Sequence, residues 1–482
     1  MTTDFAFIIP ELAASLFLVA LLLLDIFRPN KKGTVPASGD CPLFLLGAAG
    51  AAGLLILTLI FAPKTGTAFG GMMVLDPLAV FFKVFFSATV FVLFFMSREF
   101  FRKKTTRTGE FLLVIWISLI GLFFLVSAAD LLLMFIALEI FTLSLYILAA
   151  YMRRELISIE AGLKYFILGS LASAFLIYGI SLLYVAGGST SLALIRQAFT
   201  ADPQNHLFIL GILFIISGFG FKIASVPFQL WVPDVYEGAP TPVVAYLSVA
   251  SKSAGFALLL RLLFTAFPSF EAHRITLFSV LAAMTILYGN LGALMQTNIK
   301  RLFGYSSIGH AGYLLIGLAA GKIEGTTGLL YYLIAFAFSN LTVFLVITLA
   351  GRELESDRID AYRGLAKRSP FLAGTLFLAL LSLAGIPPLA GFFGKFLVLL
   401  AAVQNGLSWL ALLGLLGVAI SLYYYLSVVR TMYFEDPQEE KSIAISPSAK
   451  FILILLISGI LLAGLWQAPF FAFASSAAQS LF

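Results

Sequence analysis

Charge is scarce in this sequence, and cysteine scarcer still. Of 482 residues only 11% are Asp, Glu, Lys or Arg, where a soluble domain carries about 25%. That shortage argues against an ordinary water-soluble globule. A single cysteine, Cys41, excludes an intramolecular disulfide and any cysteine-ligated metal or iron–sulfur cluster. No dinucleotide fingerprint or haem-ligand pair is visible, so the chain offers no redox centre of its own. The opening Met1-Thr2-Thr3-Asp4 lacks a basic n-region and a cleavage site, so no removable targeting peptide is expected.

What is abundant is apolar. Hydrophobic residues make up 61% of the chain and the mean hydropathy is +1.03. They fall in blocks such as Phe111–Ala128 and Leu131–Tyr151, and a hydrocarbon core takes roughly 20 apolar residues to cross. An all-α membrane protein follows. Breaks at charge clusters and Pro/Gly/Asn turns predict about fourteen spans, at 5–27, 41–61, 74–96, 111–128, 131–151, 158–186 and 207–232. The others fall at 240–264, 275–297, 301–320, 325–350, 370–401, 406–432 and 448–470.

The net charge of +6 calls for no nucleic-acid partner, because the basic residues lie in short loops between spans. Twenty Lys and Arg fall in the odd-numbered loops, among them Arg28, Lys31, Lys32, Lys103, Lys104 and Arg107. Only Lys64, Arg196, Arg274 and Lys322 fall in the even ones. The positive-inside rule then places the odd loops in the cytoplasm and both termini on the periplasmic side of a bacterial inner membrane.

Six basic residues remain inside spans: Lys83, Lys164, Lys222, Lys252, Arg261 and Lys395. Among the acids, Glu139 stands mid-span; among the histidines, His310 does. An ionisable group at the bilayer centre costs about 2.5–3.5 kcal/mol, so Glu139, Lys222, Lys252 and Lys395 would together cost about 10–14 kcal/mol facing lipid. They are therefore expected to face the interior, a partner charge or water. One acid cannot neutralise three cations, so some of the lysines share it, bind water, or lose their proton part of the time. Arg261 and Lys164 lie near span ends, where long stems snorkel to the headgroups.

Two spans are interrupted. Pro227 removes an amide donor and frees the carbonyl of Ile223, beside Lys222, and Pro387 and Pro388 with three glycines interrupt the run just before Lys395. Freed backbone groups at membrane depth survive only where protein or a water-filled cavity satisfies them. Interrupted spans in matching positions of two halves point to the ion site of an inverted-repeat transporter. The seventh and twelfth spans are five apart, which predicts inverted five-helix repeats in spans 4–8 and 9–13. The expected segments are 1–110, 111–264, 265–434 and 435–482: three helices, two half-channels and a last helix.

Several segments stand out together: Leu138-Glu139, the run from Phe221 to Asp234, and Tyr236-Glu-Gly-Ala-Pro-Thr-Pro-Val243. With them go Lys252, the run from Asn298 to His310, and Gly385-Ile-Pro-Pro-Leu-Ala-Gly-Phe-Phe-Gly-Lys395. Over nearly the whole chain they resemble the antiporter-like subunits of proton-pumping NADH:quinone oxidoreductase, respiratory complex I. Of the family's L, M and N types, the compact plan is similar to N: L adds a long lateral helix, and M has glutamate where Lys395 stands. The resemblance implies that Glu139 and Lys222 form the acid–base pair of one half-channel, with Lys252 connecting and Lys395 terminal. His310 and Lys164 would be accessory. It also implies a translocase subunit whose FMN, iron–sulfur clusters and quinone sit in partner chains, beside M-, K- and J-like membrane neighbours. A cation/proton antiporter subunit, or the membrane arm of a hydrogenase-type complex, is the rival reading; a passive scaffold has no use for the central charges.

Overall fold

In hydrocarbon every backbone amide needs a partner within its own segment, so apolar runs of this length become helices. The computed structural model describes residues 4–27, 42–102, 108–437, 439 and 441–482; Cys41 and the loop cations Arg28, Lys31, Lys32, Lys103, Lys104 and Arg107 lie outside them. Among the described residues, 13 helices are long and apolar enough to cross a membrane. Spans 1 to 6 are Ile9–Ile26, Pro42–Phe61, Pro77–Phe101, Gly109–Ser127, Leu131–Ala149 and Leu156–Gly187. Spans 7 to 11 are His206–Ile223, Thr241–Ala266, Pro268–Ala293, Ile299–Ala320 and Lys322–Leu354; spans 13 and 14 are Ser408–Phe434 and Pro447–Leu465. Span 12 consists of two apolar helices, Pro370–Ala384 and Ala390–Gln404, each too short to cross a core about 30 Å thick alone.

Span 7 ends at Ile223, short of the expected 232, and a further short helix, Val232–Gly238, follows the break. Helix ends are set by local chemistry. Asp130 caps span 5 by accepting from the amides of Leu132 and Leu133, and Asn298 caps span 10 through Lys300 and Arg301. Three elements were not foreseen. One is a helix at Leu192–Ala201, which buries Leu192, Ile195 and Phe199 on one face. The second is a closing helix at Ala468–Gln479, and the third a small antiparallel hairpin pairing Gly66–Ala68 with Met73–Leu75.

Spans 8, 10 and 11 are almost wholly buried at the middle of the bundle, whereas spans 1 and 6 are largely exposed. The central spans carry Lys252 and His310, so burial of these groups follows from where their helices pack.

Two backbone patterns occur twice. At the span 7 break, Ala224 N–H bonds the carbonyls of Gly220 and Phe221, Ser225 N–H that of Gly220, and Phe228 N–H that of Ser225. At the span 12 break, Gly385, Ile386 and Leu389 repeat it with Leu381, Ser382 and Ile386. Ala224 and Gly385 are both left-handed, at φ +61° and +88°. The second pattern lies at the starts of spans 5 and 10. Leu131 N–H bonds Thr190 O and Leu192 N–H bonds Ala129 O; Ile299 N–H bonds Asp357 O and Ile359 N–H bonds Thr297 O.

Candidate functional site

Span 5 places Glu139 and Thr142 on one helix face. Lys222, in the last turn of span 7, reaches that face and donates to Thr142 Oγ1 at 2.9 Å. The rings of Phe221 and Tyr146 flank the ammonium, 5.4 and 5.8 Å away. Glu139 accepts from Ser173 of span 6 at 2.7 Å. Among the described residues, no carboxylate lies within 4.0 Å of Lys222. The two members of the expected acid–base pair thus share a face while each rests on a hydroxyl.

The breaks supply acceptors for the other two lysines. Span 7 stops at Ile223, whose carbonyl has no helical partner and accepts from Lys252 Nζ at 3.3 Å. Lys252 also donates to Ser307 O on span 10 at 2.9 Å. In span 12 the orphan carbonyls of Leu383 and Ala384 accept from Lys395 Nζ at 2.8 and 3.1 Å. In both halves, then, the carbonyl just before the left-handed residue holds a buried ammonium. Charged donors make the stronger hydrogen bonds, and helix C-terminal carbonyls favour cations. Pro227, Pro387 and Pro388 lie within these breaks.

His310 stands one turn beyond Ser307. Its Nδ1 lies 2.5 Å from Tyr332 Oη and its Nε2 3.0 Å from Tyr425 Oη, which contacts Ser306 Oγ at 2.5 Å. Tyr313, a further turn on, faces Lys395, whose ammonium lies 4.8 Å from its ring centre. Groups able to donate or accept a proton thus occur on spans 5, 7, 8, 10 and 12.

Lys164 is not brought to this line. It is half exposed and bonded to Glu160 and Asp234, both at 2.7 Å, in a cluster where Arg301 meets Asp234 and Glu237. Partial burial works to raise the Asp234 pKa, but the hydrogen bonds from Lys164 and Arg301 outweigh it and hold the carboxyl below its ordinary 3.8. Arg261 does not reach for headgroups either. It is buried in a two-point bond to Asp76, at 2.8 and 2.9 Å, and donates to Val126 O.

Sequence reasoning passed over Glu11 and Thr142. Glu11, in the first turn of span 1, meets Lys83 of span 3 at 2.6 Å with both side chains fully buried. The signal was Lys83 itself, a mid-span cation with no acid assigned to it. Thr142 was legible as a polar group three residues after Glu139.

Residues 128–421 match the family described as NADH:quinone oxidoreductase/Mrp antiporter, transmembrane. The chain belongs to this family. Among antiporter-family relatives, the NADH-quinone oxidoreductase subunit N of Trichlorobacter lovleyi is 39% identical over 99% of this chain and 98% of its own length. That of Moorella thermoacetica is 38% identical over 93% and 94%. Among solved structures, a chain of Thermus thermophilus respiratory complex I with bound aureothin is 33% identical, with TM-score 0.80 over 96% of this chain and 99% of its own. A chain of the Mrp complex from Dietzia sp. DQ12-45-1b has TM-score 0.85 at 19% identity, covering 100% of this chain and 98% of its own, which is likeness of fold alone. The antiporter-like, multi-pass fold expected from the sequence is the one observed.

Proposed function

We propose that this chain is the N-type proton-translocating membrane subunit of an NADH:quinone oxidoreductase, with no redox chemistry of its own. The observation that carries the reading is the line of buried ammonium groups on broken-helix carbonyls, Lys252 on Ile223 and Lys395 on Leu383 and Ala384. Facing lipid, each such charge would cost about 2.5–3.5 kcal/mol, so a line of them held inside is expected to serve transport. Glu139 and Lys222 act as the acid–base pair of the first half-channel, Lys252 connects, Lys395 delivers outward, and His310 relays. Movement of Glu139 toward or away from Lys222 changes how tightly that lysine holds its proton. Lys164 is accessory, through the Asp234 cluster.

Spans 4–8 and 9–13 are inverted halves, supported by the recurring hydrogen-bond patterns at the breaks and at the starts of spans 5 and 10. The working segments are 1–110, 111–264, 265–434 and 435–482. FMN, iron–sulfur clusters and quinone belong to partner chains, with M-, K- and J-like neighbours in the membrane. The basic odd loops face the cytoplasm and both termini the periplasm.

The test is proton pumping in vesicles carrying the intact complex, wild type against Lys222→Ala, with NADH oxidation followed in parallel. Loss of pumping and coupled oxidation with normal assembly is expected; unchanged stoichiometry refutes the route. The family description, which joins NADH:quinone oxidoreductase with Mrp antiporter, supports a second reading, a cation/proton antiporter subunit. That reading predicts sodium- or potassium-driven proton exchange in vesicles without any electron donor.

A further inference from the structure

Glu139, Thr142 and Tyr146 are three and seven positions along span 5, so a single helix face presents all three. Thr142 is buried, and its hydroxyl proton goes to Leu138 O at 2.7 Å. Toward Lys222 its oxygen is therefore an acceptor, and among the described residues it is the one hydrogen-bond acceptor of that ammonium. Ser173 plays the matching part for Glu139, donating to Oε1 at 2.7 Å. The hydroxyl of Tyr146 is also buried on this face and, among the described residues, has no hydrogen-bond partner. Lys222 and Glu139 thus each rest on a neutral hydroxyl, one from span 5 and one from span 6.

We propose that Thr142 and Ser173 are positioning residues that hold Lys222 and Glu139 apart, giving the pair a separated rest position beside the closed ion pair. The proposal rests on the proton route above and adds its switch. Three residues of helix rise about 4.5 Å, a distance a four-carbon lysine stem covers by changing rotamers. Thr142 takes no proton in this scheme, since its own is committed to Leu138 O. It offers the ammonium a second place to stop, and Ser173 does the same for the carboxylate. Without an acceptor at Thr142 the pair collapses together and the lysine is no longer released on each cycle.

The experiment uses the assembled complex in proteoliposomes with Thr142→Val, Thr142→Ser and Ser173→Ala. Removing one hydrogen bond to a charged group shifts the balance between the two positions by about 10-fold or more. Thr142→Val is expected to assemble, oxidise NADH, and move fewer protons per electron pair; Thr142→Ser restores the ratio. Infrared difference spectra, with the carboxylate band assigned by Glu139→Gln, should show the Glu139 band displaced in Thr142→Val and Ser173→Ala and normal in Thr142→Ser. Should Thr142→Val not assemble, Ser173→Ala decides through the same band and ratio. A normal ratio with an undisplaced band overturns the proposal, and so does Thr142→Ser behaving like Val. If those variants are normal while Lys222→Ala abolishes pumping, only the switch is lost; if Lys222→Ala pumps normally, the route itself falls.

Discussion

The Glu11–Lys83 pair supports the sharpest stability prediction. Its two side chains are fully excluded from solvent, the ammonium touches Oε1 at 2.6 Å, and Ser127 donates to the same oxygen at 3.3 Å. Among the described residues Oε2 has no hydrogen-bond partner, so the carboxylate is imperfectly satisfied. Replacing Glu11 by leucine leaves Lys83 charged and unpaired between spans 1, 3 and 4. Removing one member of a buried pair costs about 3–5 kcal/mol, whereas replacing both with apolar residues of similar volume is often neutral or stabilising. At about 1.4 kcal/mol per factor of ten, the single variant loses two to nearly four orders of magnitude in its folding equilibrium. Glu11→Leu combined with Lys83→Met should recover most of that loss. The assay is the fraction of the subunit retained in the membrane complex after graded heating, for wild type, both single variants and the double variant. Reasoning from a buried charge pair is refuted if Glu11→Leu costs less than about 1 kcal/mol, or if the double variant is as unstable as the sum of the singles.

Other outcomes follow from the breaks and the surface cluster. Gly385→Ala should cost about 1–2 kcal/mol, because φ is +88° there, and should disturb pumping as well, since the added Cβ would meet Lys395 Cδ at 3.1 Å. Heat resistance of the complex and proton yield check the two effects separately. Asp234 has a folded pKa below 3.8, so its contribution to stability is complete above that value and is lost as pH falls through the lower folded pKa. Melting temperature against pH should therefore drop on the acid side of pH 4, and Asp234→Asn should remove part of that slope while lowering stability at neutral pH. Replacing His310 by phenylalanine leaves the hydroxyls of Tyr332 and Tyr425 without their ring partner. Proton yield should fall with assembly retained, and an unchanged yield would make the histidine structural.

Much of this protein was written plainly in one dimension. Apolar run length determined the spans, because hydrocarbon thickness and helical rise leave one solution. Isolated ionisable residues such as Glu139 and Lys395 announced themselves, since bilayer cost makes each exceptional. The prolines at 227, 387 and 388 marked the broken helices, because a missing amide cannot be hidden within a span. Tertiary structure decided the partners. Nothing in the sequence marks Glu11 apart from its place at a helix start, but span 3 brings Lys83 to it; Arg261, placed to snorkel by its position near a span end, is instead held by Asp76. That Lys252 binds Ile223 O, and Lys222 rests on Thr142 and not on Glu139, depends on how helices distant in the chain pack and turn. Periodicity states which face a residue occupies; only packing in three dimensions determines what that face meets.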